Sequence, residues 1–269
     1  MKNAFHVHTL YCDGKNTCEE IVLQAIKYGF DAIGFSGHSY TSFDESYCMS
    51  KQNTRKYVND VEYVKNKYRN DIRVYCGIEQ EYYAEKPDFT PDYIIGSVHY
   101  IIKGGEYIPI DDSRGELSEA VNKYYGGDFY SLAEDYFRTV SDVVQKTDCD
   151  IIGHFDLVSK FNEDKTLFDE GNPRYIAAWK NALDILLPED RIFEVNTGAM
   201  SRGYRTLPYP SRDMLSYIAK NGGRVTVTTD CHDMTALDYG TETAFALIKE
   251  TGAEYVDFET VLLTEKLKV

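Results

Sequence analysis

With 269 residues, 43% of them hydrophobic, the chain has enough apolar material for one sizeable core. A net charge of −15 argues against a broad nucleic-acid surface, which needs clustered Lys and Arg. No apolar run approaches the roughly 18 residues of a membrane span, and no basic-then-apolar leader opens the chain, so no membrane partner and a cytoplasmic location are expected.

Strand-like and helix-like runs alternate from the start. NAFHVH (3–8) reads as a first strand. TCEEIVLQAIKYG (17–29) reads as a helix capped by Thr17, with Glu19 and Glu20 in its first turn and Gly29 as its stop. DAIGFS (31–36) is a second strand, and after a polar loop TRKYVNDVEYVKNKYR (54–69) is helical. IRVYCGIE (72–79) and DYIIGSVHY (92–100) are the third and fourth strands. The stretch 101–128 breaks the rhythm. IIKGGEYIPI reads as a hairpin turning at Gly104 and Gly105, and DDSRGELSEAVNKYYGGD as a polar excursion suited to form a lid or pocket wall. Alternation then resumes. Helix 130–146 precedes strand DIIGHF (150–155), a helix near 173–187 precedes RIFEVNT (191–197), and a helix near 211–221 precedes RVTVTTD (224–230). A last helix, 241–251, leads to a weak strand near 255–258.

The seven firm strands are short and apolar, as strands buried on both faces are. Linked through helices, they predict a parallel α/β sheet, closed or nearly closed, in one domain over 1–269 with the 101–128 excursion inserted. A doubly wound open sheet is the alternative, but no GxGxxG follows the first strand to support a dinucleotide fold. Cys12, Cys18, Cys48, Cys76, Cys149 and Cys231 are scattered without a CxxC and are expected to be reduced.

The histidines carry the functional signal. His6 and His8 end the first strand, His38 follows the second, His99 ends the fourth, His154 ends the fifth and His232 follows the seventh. In a parallel α/β barrel those ends form one face, where active sites are built. Carboxylates join them: Asp13 after the first strand, Glu79 and Glu81 at the third, Asp230 at the seventh. His6/His8, Glu79/Glu81 and Asp230/His232 share i,i+2 spacing, which on a strand puts both side chains on one side and turns Cys231 to the other. A lone strand-end histidine is more often a satisfied polar residue than a ligand. Here none of the six falls in a helix, and the convergence predicts a metal site. Six histidines with Asp13, Glu79 and Asp230 make nine candidate ligands, enough for two or three ions. Imidazole and carboxylate donors without a thiolate cluster suit Zn, Mn or Fe(II).

In chain order HVH, Asp13, SGH, GIE, SVH, GHFD and TDCH resemble the PHP (polymerase and histidinol phosphatase) family, along the whole chain. The resemblance implies a distorted (β/α)7 barrel with a trinuclear metal site at the C-terminal face of its strands. It implies a first ion held by His6, His8, Glu79 and Asp230. Glu79 would bridge to a second held also by His99 and His154, and Asp13, His38 and His232 would hold the third. EVNTGAMSRGYRTLPYPS (194–211) is similar to a segment of the free-standing members that hydrolyse L-histidinol phosphate. The implied reaction is metal-assisted attack of water on a phosphate monoester, with inversion at phosphorus, in histidine biosynthesis. Bound cations would also offset the repulsion between an acidic protein and an anionic substrate.

Arg202, in AMSRG, is expected to bind phosphate, because the guanidinium fork matches phosphate geometry. Lys160, Arg205 and Arg212 are further candidates. Glu81 has two readings: it takes a cationic part of the substrate, or it orients a ligand histidine. Three rival functions stay open: an amidohydrolase-type metal hydrolase, a PHP-type phosphoesterase acting on a phosphotyrosyl protein or a nucleotide, and a non-catalytic metal-binding protein, which would not need a phosphate-reading arginine.

Overall fold

The computed structural model describes residues 2–266. A short β1 (Asn3–Ala4) leads through a turn into α1 (Cys18–Lys27). The Thr17 hydroxyl accepts from Glu20 N at 3.2 Å, and the Glu20 carboxylate accepts from Thr17 N at 2.9 Å, a reciprocal cap that starts α1 where the sequence predicts it. β2 (Ala32–Phe35) and α2 (Lys51–Lys67) follow. The expected third strand is two strands, β3 (Arg73–Cys76) and β4 (Ile78–Glu81), and β5 (Ile94–Ser97) comes next. They divide at Gly77, where an added Cβ would stand 2.4 Å from the Tyr93 ring, so only glycine lets this backbone pass.

The excursion begins as the predicted hairpin, β6 (Tyr100–Lys103) and β7 (Glu106–Pro109), with Gly104 and Gly105 at positive φ. The polar stretch after it is ordered as α3 (Arg114–Tyr125), capped by Ser113 and anchored by buried Leu117 and Val121. Those two apolar residues, a turn apart, were the helical signal inside its polar composition. The helix expected over 130–146 breaks into α4 (Phe129–Val140) and α5 (Val143–Thr147). β8 (Ile151–Ile152), α6 (Pro173–Leu186), β9 (Ile192–Asn196), the one-turn α7 (Gly198–Ser201), α8 (Arg212–Lys220) and β10 (Arg224–Thr228) follow. α9 (Thr241–Thr251), β11 (Glu254–Tyr255) and α10 (Phe258–Lys266) complete the described chain.

The strands form a parallel three-stranded sheet, β1–β2–β3, and a parallel six-stranded sheet, β11–β10–β9–β8–β5–β4. The expected barrel is not one closed sheet among the described residues. β3 pairs with β2 while β4 pairs with β5, so the ladder changes partner at Gly77. Single parallel bridges, Val7 to Cys231 and His38 to Glu79, join the two sheets.

Helices cover the outer faces. α1 and α2 pack on the smaller sheet, and α4, α6, α8 and α9 on the larger. A separate aromatic cluster, Phe5, Tyr75, Tyr93 and Phe258, fills the space between the sheets near the N-terminal ends of the strands. Phe5 meets Tyr93 and Phe258 edge-on at 5.4 and 5.0 Å, and each such pair adds about 0.5–1.5 kcal/mol beyond burial. Buried Glu259 ties α10 to β3 through Arg73 Nη2 and the Tyr75 hydroxyl, both at 2.8 Å. The opposite ends of the strands are left to polar side chains. Among the described residues no helix is long and apolar enough to cross a membrane.

Candidate metal centre

All six histidines converge at the C-terminal strand ends, around Glu79. The backbone after β1 turns His6 and His8 to this side and packs Val7 among Cys18, Ile21 and Cys231 on the other. One carboxylate oxygen of Glu79, Oε2, lies 3.3 Å from His6 Nε2, 3.4 Å from His8 Nε2 and 2.9 Å from His38 Nδ1. The other, Oε1, lies 3.4 Å from His99 Nε2 and 3.0 Å from His154 Nε2. Asp230 Oδ1 is 3.2 Å from His8 Nε2 and 3.7 Å from His6 Nε2. Asp13 closes the far side, 3.1 Å from His232 Nε2, 3.6 Å from His8 Nδ1 and 3.7 Å from His38 Nε2.

Three sets have ligand atoms close enough to share an ion: His6, His8 and Glu79; His38, Glu79 and His99; His8, Asp13, His38 and His232. Seven of the nine expected ligands fall in these sets; Asp230 and His154 lie outside them but adjoin them, 3.2 Å from His8 Nε2 and 3.0 Å from Glu79 Oε1, and the partition shifts. His38 reaches Glu79 as well as Asp13, and His8 joins the Asp13 group.

The donor set fits cations. His6 Nε2, His8 Nε2 and Glu79 Oε2 are buried, face one another and have no hydrogen-bond partner. Such atoms cost roughly 1–3 kcal/mol each when left unsatisfied, and a divalent ion satisfies all three at once. The electrostatics point the same way. Burial pulls the His6 imidazolium down, yet the carboxylates of Glu194, Glu79 and Asp230 outweigh it and hold its pKa well above the usual value. Burial likewise opposes the charge on Glu79, but the imidazoles of His38, His6 and His99 hold it well below the ordinary carboxylate range. The centre draws positive charge. His8 is the exception: burial, then His232 and His38, lower it to about 3, which leaves a neutral imidazole ready to donate its lone pair.

Behind the ligands stands a layer that fixes their orientation. Glu194, fully buried in β9, accepts from His6 Nδ1 at 2.8 Å, the His154 backbone N at 2.5 Å, Asn196 Nδ2 at 2.8 Å and the Thr228 hydroxyl at 2.8 Å. Glu81 accepts from the ring Nδ1 and the backbone N of His99, both at 2.9 Å. It is 2% exposed and does not line the cavity, and its contacts to the His99 ring and backbone favour the second of its two readings, orientation of a ligand histidine. Glu194 escaped the sequence reading. A signal was available, since a glutamate inside the apolar strand IFEVN must find buried partners. Glu194→Gln is expected to lower zinc affinity about 10- to 100-fold without unfolding, measured by competition with a chelator alongside circular dichroism.

Above the cluster opens a cavity of about 260 Å³. Arg202 lines it, held by Asp230 Oδ2 and Asp230 O at 2.9 Å and by His232 Nδ1 at 3.0 Å. Gly198 permits this approach: a Cβ there would stand 2.7 Å from Asp230 and 2.9 Å from Arg202 Nη2. Lys160 also faces the cavity, donating to Asp111 O at 2.7 Å and Asp111 Oδ2 at 3.0 Å. Arg205 lies behind, bonded to Ser159, and Arg212 pairs with Glu250 at the surface, so neither candidate lines the cavity. The excursion supplies Pro109, Asp111 and Asp112 to the wall, and the 41–48 loop supplies Asp44, Ser46 and Tyr47.

Residues 4–198 match the PHP domain. The chain belongs to the PHP domain family. A Schizosaccharomyces pombe protein named probable histidinol-phosphatase is 28% identical over 243 residues, covering 83% of this chain and 76% of that protein. The structure of hisK from Listeria monocytogenes superposes with a TM-score of 0.79 at 22% identity, over 90% of this chain and 99% of that one. Histidinol phosphate phosphatase from Lactococcus lactis, complexed with zinc, L-histidinol and phosphate, gives a TM-score of 0.68 at 19% identity, over 95% of each chain. These likenesses establish a shared fold, and this PHP chain carries its histidine cluster at the strand ends of that fold.

Proposed function

We propose that this PHP protein hydrolyses L-histidinol phosphate to L-histidinol and phosphate at a cluster of three divalent ions. The observation that carries the reading is the convergence of six histidines with Asp13, Glu79 and Asp230 beneath a cavity lined by Arg202 and Lys160. The names of its relatives, and the histidinol and phosphate bound by the Lactococcus protein, support the substrate. In the same reading β1, β2, β5, β8, β9 and β10, with β3 and β4 acting as one stave, form a distorted seven-strand barrel that the two bridges link, and β11 lies beside β10 outside that count.

His6, His8, Glu79 and Asp230 would hold one ion, Glu79, His99 and His154 a second, and Asp13, His38 and His232 a third, with His8 and His38 near two of them. Zinc, manganese or iron would supply Lewis acidity toward the phosphoryl group and a water acidified toward neutrality. The chain's own residues do the rest. Arg202 donates its fork to phosphate oxygens and stabilises the charge that they carry in the transition state. Lys160 exchanges Asp111 for a phosphate oxygen as the ester enters. Asp44, Asp111 and Asp112 would repel a purely anionic ester, but they accept from the ammonium and imidazolium of histidinol. The rings of Tyr47 and Tyr100, 6.2 Å apart on the cavity wall, offer flat faces to the imidazole.

The test is phosphate release from a panel of monoesters by zinc- or manganese-loaded protein. L-Histidinol phosphate should exceed p-nitrophenyl phosphate, a nucleoside monophosphate and phosphotyrosine by about 100-fold or more in kcat/KM, with activity lost to chelator and restored by metal. Equal turnover of all esters would remove the substrate assignment and leave the phosphoesterase. No release from a protein that binds its metals would remove both.

A further inference from the structure

β1 and β10 run side by side yet meet only at the bridge between Val7 and Cys231. Toward the N-terminal ends they part, β1 pairing with β2 and β10 with β9 and β11. The seam between them holds a cavity of about 200 Å³ that shares no lining residue with the one above the histidines. It is small for a drug-sized ligand and suits an amino-acid-sized one.

Its lining divides by chemistry. Phe30, Phe245 and Tyr255 give aromatic walls, with Phe245 and Tyr255 edge-to-face at 5.1 Å. Both rings remain partly exposed, 44% and 37%, a cost that a ligand covering them would relieve. Thr229 belongs to the lining, and its Oγ1 is buried without a hydrogen-bond partner. At the same cavity Lys2 and Asp238 present opposite charges 3.1 Å apart, the ammonium also seated 4.4 Å over the Phe30 ring. Both charges are about two-fifths exposed, which makes their mutual pairing weak and easily exchanged.

We propose that this seam cavity is a second ligand site that takes a small zwitterion with a flat ring, of the size and charge of an aromatic amino acid. The ring covers the exposed parts of Phe245 and Tyr255, the carboxylate meets Lys2, and the ammonium meets Asp238. The Thr229 hydroxyl supplies the remaining hydrogen bond. No group on this surface recognises phosphate as such, and the lone ammonium of Lys2 is balanced by Asp238, so the site differs in ligand class from the metal centre.

The probe is L-phenylalanine, titrated into the zinc-loaded protein and followed by calorimetry and by the methyl NMR resonances of Val227 and Thr229. Saturable binding that shifts both resonances is expected. Phenethylamine, which lacks the carboxylate, and 3-phenylpropionate, which lacks the ammonium, should each bind about tenfold more weakly, as loss of one charged contact implies. Phe245→Ala and Asp238→Asn should each weaken L-phenylalanine about tenfold and leave phosphate release unchanged. No saturation by about 10 mM, binding undiminished in both variants, or displacement of L-phenylalanine by inorganic phosphate would each overturn the proposal.

Discussion

Replacing Glu79 by alanine should reduce phosphate release from L-histidinol phosphate by about 10³-fold or more and strip the protein of most of its bound metal. The reason is position. Among the described residues Glu79 is the one side chain within 3.4 Å of five of the six imidazoles, through two oxygens that divide the histidines between them. Neutral imidazoles can ligate two neighbouring cations but cannot offset the repulsion between them, and a buried carboxylate can. Glu79→Gln makes the distinction sharp. It keeps the size and one acceptor oxygen, loses the charge, and should bind metal almost as poorly as the alanine variant. Metal content by elemental analysis and turnover of L-histidinol phosphate, with circular dichroism to establish folding, check the result. A folded Glu79→Gln protein with full metal content would show that shape rather than charge holds the ions.

The same residue explains why so much of the site was legible in the sequence. Parallel strands expose their C-terminal ends on one face, so side chains placed just past those ends meet even when they are more than two hundred residues apart, as His8 and His232 do in a stacked pair at 4.0 Å. The i,i+2 spacings worked for a related reason. They fix which side of a strand a residue takes inside β4, which holds Glu79 and Glu81; Cys231 lies in the outer core and Asp230 faces the histidines as expected, but both stand past β10, with Asp230 at a φ of 45°. Three things were not legible. The division of the third strand at Gly77 depends on the Tyr93 ring, which stands just before β5, sixteen residues further along the chain. The helix α3 is hidden by a surface that is polar on all but one face. The cavity wall at Asp44, Tyr47 and Asp111 comes from loops, which carry no periodicity to say where they fold back. The exact partition of ligands also depends on ring rotations: His38 presents Nδ1 to Glu79 and Nε2 to Asp13, a choice that spacing along a strand does not dictate.

Arg202→Ala should lower kcat on L-histidinol phosphate about 100-fold and weaken inhibition by inorganic phosphate to a similar degree. Burial opposes the charge on Arg202, but Asp230 outweighs that effect and keeps the guanidinium firmly charged. Its fork has two duties. Nη2 braces Asp230 Oδ2, while Nη1 reaches the Asp230 carbonyl and His232 Nδ1. The brace matters because Asp230 is a non-glycine residue at a φ of 45°, a conformation that its surroundings must hold. The two duties separate in measurement. If phosphate is the main partner, Arg202→Ala loses phosphate affinity and kcat while zinc affinity falls only a few-fold. Arg202→Lys then restores the charge without the fork and recovers part of the phosphate affinity. If bracing Asp230 is the main duty, zinc affinity falls by about tenfold or more in both variants, and phosphate inhibition, measured at saturating zinc, stays near that of the parent protein. The second outcome would remove Arg202 from the phosphate site and leave Lys160, now engaged with Asp111, as the cation facing the cavity.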